Sequence, residues 1–426
     1  MYSKKVLANG IRLITVPRPD SLSVNILVLV EAGSKYETKN QSGISHFLEH
    51  MCFKGTKKRP TALSISGELD ALGAQYNAFT SQEYTGYYVT CLPDKVEQAL
   101  DIISDMYLNS TFDAKEIEKE KGVIVEEINM IEDIPMRKIQ DLFTKLLYGD
   151  QPAGWDVAGR VETVKKISQP DFLAYRRSHY VANKTIILVA GCLPAKTIGA
   201  QIRKCFADLS RQPGRNKLPV KEKQSRPNLL VYHKPSDQTH LVLGFRTFGI
   251  KREETYTVEV LTMILGGNMS SRLFQKIRDE MGAAYYIRAH HNSLTDHGYL
   301  DIASGVKNNK AVPALEAILR ECRRLAEEEV PQTELAKAKD SLIGTTYLSL
   351  ETPTDLSVYY GLQELLKREM MTPEEFAKKI KAVTAKDIKQ LAKRVFTDRG
   401  LNLTILGPHK NKKKFSQVLH LYPHTN

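Results

Sequence analysis

Gln75-Tyr76-Asn77-Ala78-Phe79-Thr80-Ser81 and Tyr84-Thr85-Gly86-Tyr87-Tyr88-Val89-Thr90 are two alternating runs rich in aromatic and β-branched residues, parted by a short polar turn. That is the pattern of a β-hairpin. A helical stretch ending at Leu72-Gly73-Ala74 leads into it. The second half of the chain repeats the plan: a helical stretch ending at Met281-Gly282-Ala283 leads into Ala284-Tyr285-Tyr286-Ile287-Arg288-Ala289-His290, a turn, and His297-Gly298-Tyr299-Leu300-Asp301-Ile302-Ala303. Beyond each hairpin, Val96 to Leu108 and Val312 to Leu325 carry apolar residues at helical spacing, and each precedes a second, charged helical stretch. Ile117-Glu118-Lys119-Glu120-Lys121 lines up there with Leu335-Ala336-Lys337-Ala338-Lys339. A repeat of this kind implies two homologous domains of the α+β class, each a mostly antiparallel sheet with helices packed on one side. The polar, Pro-containing stretch between Leu209 and Asn228 has neither helical nor strand periodicity and reads as the linker. The expected division is therefore 1–210, a linker at 211–228, and 229–426.

Composition narrows the class of function. The 426 residues are 42% hydrophobic and 26% charged, ordinary for a globular protein. Val24 to Val30 and Thr185 to Ala190, the strongest apolar runs, fall far short of the ~20 residues of a spanning helix, so no membrane association is expected. The amino terminus reads as strand, turn and strand rather than as a secretory or transit segment, which makes cytoplasmic residence the expectation. Cys52, Cys91, Cys192, Cys205 and Cys322 are scattered and include no C-x-x-C, which argues for reduced core thiols rather than a disulfide framework or a thiolate metal site. The net charge of +12 is dispersed, with dense runs only at Lys57-Lys58-Arg59, Arg211 to Arg226 and Lys410 to Lys414. Without interleaved aromatics these runs read as solvated surface, so no nucleic-acid partner is expected.

The chemistry sits in the first half. His46-Phe47-Leu48-Glu49-His50 is an H-x-x-E-H run. Residues four apart share a helix face, so His46 and His50 can reach one cation with Glu49 alongside. Zinc hydrolases generally take three protein ligands and leave a position for water, so a third donor is needed. The helical stretch from about Ala114 to Ile131 offers Glu116, Glu118, Glu120, Glu126 and Glu127, and pattern alone does not choose among them. In the second copy Glu120 and Glu127 are matched by Ala338 and Thr345, and no H-x-x-E-H occurs. Only one copy carries chemistry. For the other nine histidines, the adjacent His290 and His291 included, no ligand spacing supports metal.

His-Phe-Leu-Glu-His followed by Met51-Cys52-Phe53-Lys54-Gly55-Thr56, then Asn77-Ala78-Phe79-Thr80-Ser81, then Glu118-Lys119-Glu120-Lys121-Gly122-Val123-Ile124-Val125-Glu126-Glu127, resembles the pitrilysin family of inverted zincins over essentially the whole chain. The resemblance implies one Zn2+ per chain bound by His46, His50 and Glu127, with Glu49 as general base. It implies a role for Glu120 in orienting a histidine through the ring nitrogen not used for metal. Glu126 points to a different face of the helix and is expected on the surface. Such a set permits metal-assisted amide hydrolysis, with Glu49 taking a proton from the attacking water and passing it to the leaving amine. The first half shows no obvious donor for the tetrahedral intermediate. In the family an arginine and a tyrosine of the second half contact substrate, and Arg278 and Tyr285 keep their spacing. The upstream Gly266-Gly267-Asn268 turn lacks a P-loop lysine and is weak evidence for phosphate.

Long members of the family close two such halves around a chamber. This chain has one half-length unit, so the resemblance implies a second chain, a homodimer or a heterodimer with a related subunit. The edge around Asn77, Ala78 and Phe79 would take an extended peptide by strand addition. The expected activity is zinc-dependent endopeptidase cleavage of unfolded peptides or short polypeptide segments inside a clamshell chamber. The alternative is a non-catalytic or hetero-oligomeric subunit that only binds peptides, against which the intact His46, Glu49, His50 and Glu127 set counts.

Overall fold

The computed structural model describes residues 2–194 and 196–422. It contains two mixed sheets. The first has the order β1-β2-β6-β3-β5-β4, from β1 (Ser3–Val6), β2 (Arg12–Pro17), β3 (Val24–Val30), β4 (Gln75–Thr80), β5 (Thr85–Cys91) and β6 (Thr185–Gly191). The second has the order β7-β11-β8-β10-β9, from β7 (Asn228–His233), β8 (Gln238–Thr247), β9 (Ala284–Ser293), β10 (Gly298–Lys307) and β11 (Leu401–Gly407). In each sheet one pairing is parallel, β2 with β6 and β7 with β11, and the others are antiparallel. The repeat read from the hairpins is thus a repeat of topology: β4–β5 and β9–β10 close the same edge of their sheets.

Both sheets carry helices on one face, as expected, and the structure adds a helix on the other. Helix Pro353–Leu366 lies against β3 and β6 of the first sheet, where Leu356, Tyr360 and Leu365 pack on Leu27, Leu29, Ile186 and Leu188. Helix Pro135–Tyr148 lies against β11, β8 and β7 of the second. The continuous apolar runs of β3 and β6 follow from this, because strands covered on both faces have no polar side to alternate with. Gly361 is the point of closest approach: a Cβ there would stand 2.6 Å from the Leu29 side chain.

The compact units are therefore not consecutive stretches of chain. One unit is Met1–Met130, Gln151–Leu218 and Leu348–Met371; the other is Ile131–Asp150, Pro219–Tyr347 and Thr372–Asn426. Each unit takes its reverse-face helix from the half of the sequence that builds the other, which the division at 211–228 did not foresee. Of the basic runs, Lys57-Lys58-Arg59 is less solvated than expected. Arg59 is buried and bonded to Glu68, Asp101 and Asp105 at 2.6–2.8 Å. All five cysteines are free thiols, three of them buried.

Candidate metal centre

Helix Ile44–Met51 presents two faces. Ile44, Phe47, Leu48 and Met51 are buried in the core of the first unit, with the Phe47 ring edge-on to Phe172 at 4.9 Å. His46, Glu49 and His50 are only partly buried. The start of this helix is built by a distant side chain. Gly43 precedes it with φ 96°, a left-handed conformation that glycine adopts without strain, and a Cβ there would stand 2.7 Å from the Ala158 carbonyl oxygen. Glycine has no side chain to cap the first turn, so Glu37 does it. The Gly43 and Ser45 backbone N–H groups donate to the two Glu37 oxygens at 2.7 and 2.8 Å. Burial pushes the Glu37 carboxyl up to about 7, against the pull of those two amides. Ser45 Oγ lies 2.7 Å from Tyr175 Oη, which extends the anchor into the core.

Helix Ala114–Asp133 supplies the acids. Ile117 and Ile124 are buried in its apolar stripe, Ile128 packs alongside, and Glu120 occupies a stripe position between them, 5% exposed. Its partners explain how a carboxylate is tolerated there. His50 Nδ1 lies 2.9 Å from Glu120 Oε1 and Lys54 Nζ lies 2.6 Å from Oε2. Burial works to raise the Glu120 carboxyl, but the bonds from His50 and Lys54 outweigh it and hold the group below the usual carboxylate range. Two turns on, Glu127 approaches the histidines. Its Oε2 is 3.6 Å from His46 Nε2 and 3.8 Å from His50 Nε2, and the two Nε2 atoms are 3.3 Å apart.

Those distances can be set against a cation. Zinc–nitrogen bonds of about 2.05 Å at tetrahedral angles put neighbouring ligand atoms about 3.3 Å apart. The histidine pair matches that edge, and the carboxylate is a few tenths of an ångström outside it. Donation from His50 Nδ1 to Glu120 leaves the His50 Nε2 lone pair facing outward, able to take a cation or, without one, the Nε2–H of His46. His46 has its Nδ1 buried without a hydrogen-bond partner, and burial, then the neighbouring His50, push its imidazolium down to about 4, so the ring is neutral at neutral pH. Among the described residues, no other trio of His, Cys, Asp or Glu side chains comes together in this way. His290 and His291 lie instead by single acids, His291 Nδ1 at 3.0 Å from Glu259 and His290 Nδ1 at 3.9 Å from Asp301. Glu116 and Glu118 pair with Lys119 and Lys121, and Glu126 is exposed.

Glu49 sits on the same helix and receives a short hydrogen bond from the Thr80 hydroxyl. Burial raises its carboxyl, with the Thr80 bond pulling the other way. Thr80 ends β4, the edge strand of the sheet, paired on one side only, with β5. Along β4, Tyr76 and Ala78 pack toward helix Ile44–Met51. Asn77 is exposed, and its Oδ1 accepts the Ala78 N–H at 2.8 Å. The Phe79 ring is turned to the opposite face, against Tyr84 and Tyr88 and over Gly86, so only its main chain lies at the edge. Arg278 and Tyr285 belong to the other unit. Both are exposed, Tyr285 at 77%, and the Arg278 guanidinium lies 4.8 Å over the Phe274 ring. The Gly266 turn is a packing feature: a Cβ there would stand 2.6 Å from the Ala289 nitrogen of β9. Thr80, Glu37 and Lys54 were not singled out from sequence. For Glu120 the signal was there, a carboxylate set within an isoleucine stripe.

Comparison with known proteins agrees with the geometry. Residues 12–159 match the family described as insulinase (peptidase family M16), and residues 166–342 match the one described as the peptidase M16 inactive domain. An "uncharacterized zinc protease" YmxG of Bacillus subtilis is 35% identical over 96% of this chain and 99% of its own length. One of Rickettsia bellii is 33% identical over 96% and 98%. Among solved structures, a protease from Helicobacter pylori has a TM-score of 0.90 at 22% identity, covering 96% of this chain and 99% of that one. A putative M16-like peptidase from Alicyclobacillus acidocaldarius has a TM-score of 0.85 at 21% identity, covering 96% and 98%. These two show the shared fold.

Proposed function

Because the chain belongs to peptidase family M16, whose relatives are named zinc proteases, we propose that it is a zinc-dependent endopeptidase of unfolded peptides, with its catalytic apparatus on the first unit. His46, His50 and Glu127 hold the metal, one ion per chain. The observation that carries this is the convergence of their three ligand atoms, all within 4.8 Å of one another, on one side of two helices. Zinc bound there supplies a Lewis acid for the water and the scissile carbonyl. The remaining work falls to the chain's own side chains. Glu49 takes the proton from the attacking water and delivers it to the leaving amine. Glu120 accepts from His50 Nδ1 and so fixes which nitrogen of that ring is free for metal.

Substrate enters as an added strand on the open edge of β4. Asn77 Oδ1 occupies the Ala78 N–H in the free protein, and a peptide carbonyl would take its place. Asn77, Ala78 and Phe79 then bind main chain rather than side chain, which suits unfolded segments of varied sequence. Arg278 and Tyr285, exposed on the second unit, offer a permanent charge and a hydroxyl suited to a substrate carbonyl. A second copy of the chain completes a closed chamber around the peptide. A quenched-peptide assay with elemental analysis tests the reading. Glu49→Gln is expected to keep zinc and lose about 10²–10⁴-fold in kcat, and equal rates for variant and wild type would defeat it.

A further inference from the structure

We propose that Thr80 is a positioning residue of the reaction: its hydroxyl holds one carboxylate oxygen of Glu49 and thereby leaves the other oxygen to carry the proton. The inference rests on the role given to Glu49 above. Thr80 Oγ1 is the donor in this bond, since an ionised carboxylate can only accept. The Thr85 hydroxyl is the poorer acceptor for that proton, at the outer limit of hydrogen-bond distance. Thr85 Oγ1, 3.5 Å away, is buried and gives its own proton to the Ala32 carbonyl at 2.9 Å. A carboxylate on a three-bond stem would otherwise rotate freely, and the cost of that freedom falls on the step in which the proton moves.

The position of the hydroxyl is itself over-determined. The turn after Thr80 is closed by the Ser81 N–H to the Tyr84 carbonyl at 2.8 Å. The stretch Gly33 to Lys35 then grips it: the Ser34 N–H donates to the Ser81 carbonyl at 3.2 Å and the Lys35 N–H to the Gln82 carbonyl at 2.8 Å. Lys35 Nζ meets Glu83 Oε1 at 2.8 Å, with both side chains 1% exposed. Gly33 is so close that a Cβ would stand 2.2 Å from the Ser81 carbonyl oxygen. The same stretch ends two residues later at Glu37, which holds the first amides of helix Ile44–Met51. One short segment therefore fixes both the strand that bears the donor and the helix that bears the acceptor. Such rigid support on both sides is what a positioning contact needs.

Thr80→Ala, Thr80→Val and Thr80→Ser, assayed beside wild type and Glu49→Gln, test the assignment. Thr80→Ala and Thr80→Val are expected to keep zinc, to leave KM within about twofold and to lower kcat about tenfold or more, while Thr80→Ser restores it. Crystal structures of the same proteins give a readout apart from activity. Glu49 is expected in a single conformer in wild type and Thr80→Ser, and displaced or in several conformers in the other two. Full kcat in both hydroxyl-less variants, a serine variant as slow as alanine, or loss of zinc from the variants would overturn the proposal. Were wild type inert toward every peptide, the endopeptidase reading would fail, and the Glu49 conformers would still decide whether Thr80 positions it.

Discussion

Glu120 is the residue whose placement makes least sense for stability and most for chemistry. It takes a stripe position that Ile117 and Ile124 mark as apolar, and it is held ionised there by His50 and Lys54. A buried carboxylate is tolerated when both oxygens find charged or polar donors, and one of these donors is the ring whose other nitrogen is proposed to bind the cation. Glu120→Gln keeps the shape and one acceptor but loses the charge. It is expected to weaken zinc affinity about 10–100-fold in competition with a chelator, with the fold intact by circular dichroism. Unchanged affinity would make Glu120 a structural partner of Lys54 alone. At this scale the sequence was most informative where spacing is local. His46, Glu49 and His50 could be placed on one helix from their numbers, whereas five glutamates of helix Ala114–Asp133 were equivalent by pattern and only family resemblance pointed to Glu127.

Elements explain why the rest was hidden. The hairpin strands Gln75 to Ser81 and Tyr84 to Thr90 emerge as β4 and β5 to within a residue at each end, because period-two alternation is written locally. Glu37 and Thr80 act across turns and between elements, where the sequence carries no periodic signal. Glu37 is the plainest case: the cap of a helix is supplied from before the helix because Gly43 has to be glycine. Removing it leaves two amides at a buried helix start without a partner. Glu37→Ala is expected to lower stability by about 1.5–3 kcal/mol and to weaken zinc binding through the loosened first turn, measured by denaturant unfolding of the metal-free protein and by chelator competition. A change below about 0.5 kcal/mol would show that water replaces the carboxylate without loss.

Each compact unit takes one of its helices from the half of the sequence that builds the other. A linear reading divides the chain at its polar stretch 211–228, but hydrophobic patterning does not say which sheet a helix will cover. Helix Pro353–Leu366 buries Leu356, Tyr360 and Leu365 on the first sheet, and each such side chain is worth about 1.5–3 kcal/mol when removed from water. A fragment of residues 1–218 would expose Leu27, Leu29, Ile186 and Leu188 on that face. It is expected to aggregate on a sizing column, and a monodisperse fragment would contradict the assignment of the helix to this unit. The account as a whole stands on one cation held by His46, His50 and Glu127. Anomalous diffraction at the zinc absorption edge tests that most directly: one peak per chain is expected, bonded at about 2.0–2.2 Å to His46 Nε2, His50 Nε2 and a Glu127 oxygen, and zinc-soaked crystals with no peak there, or with a peak on other ligands, would contradict it.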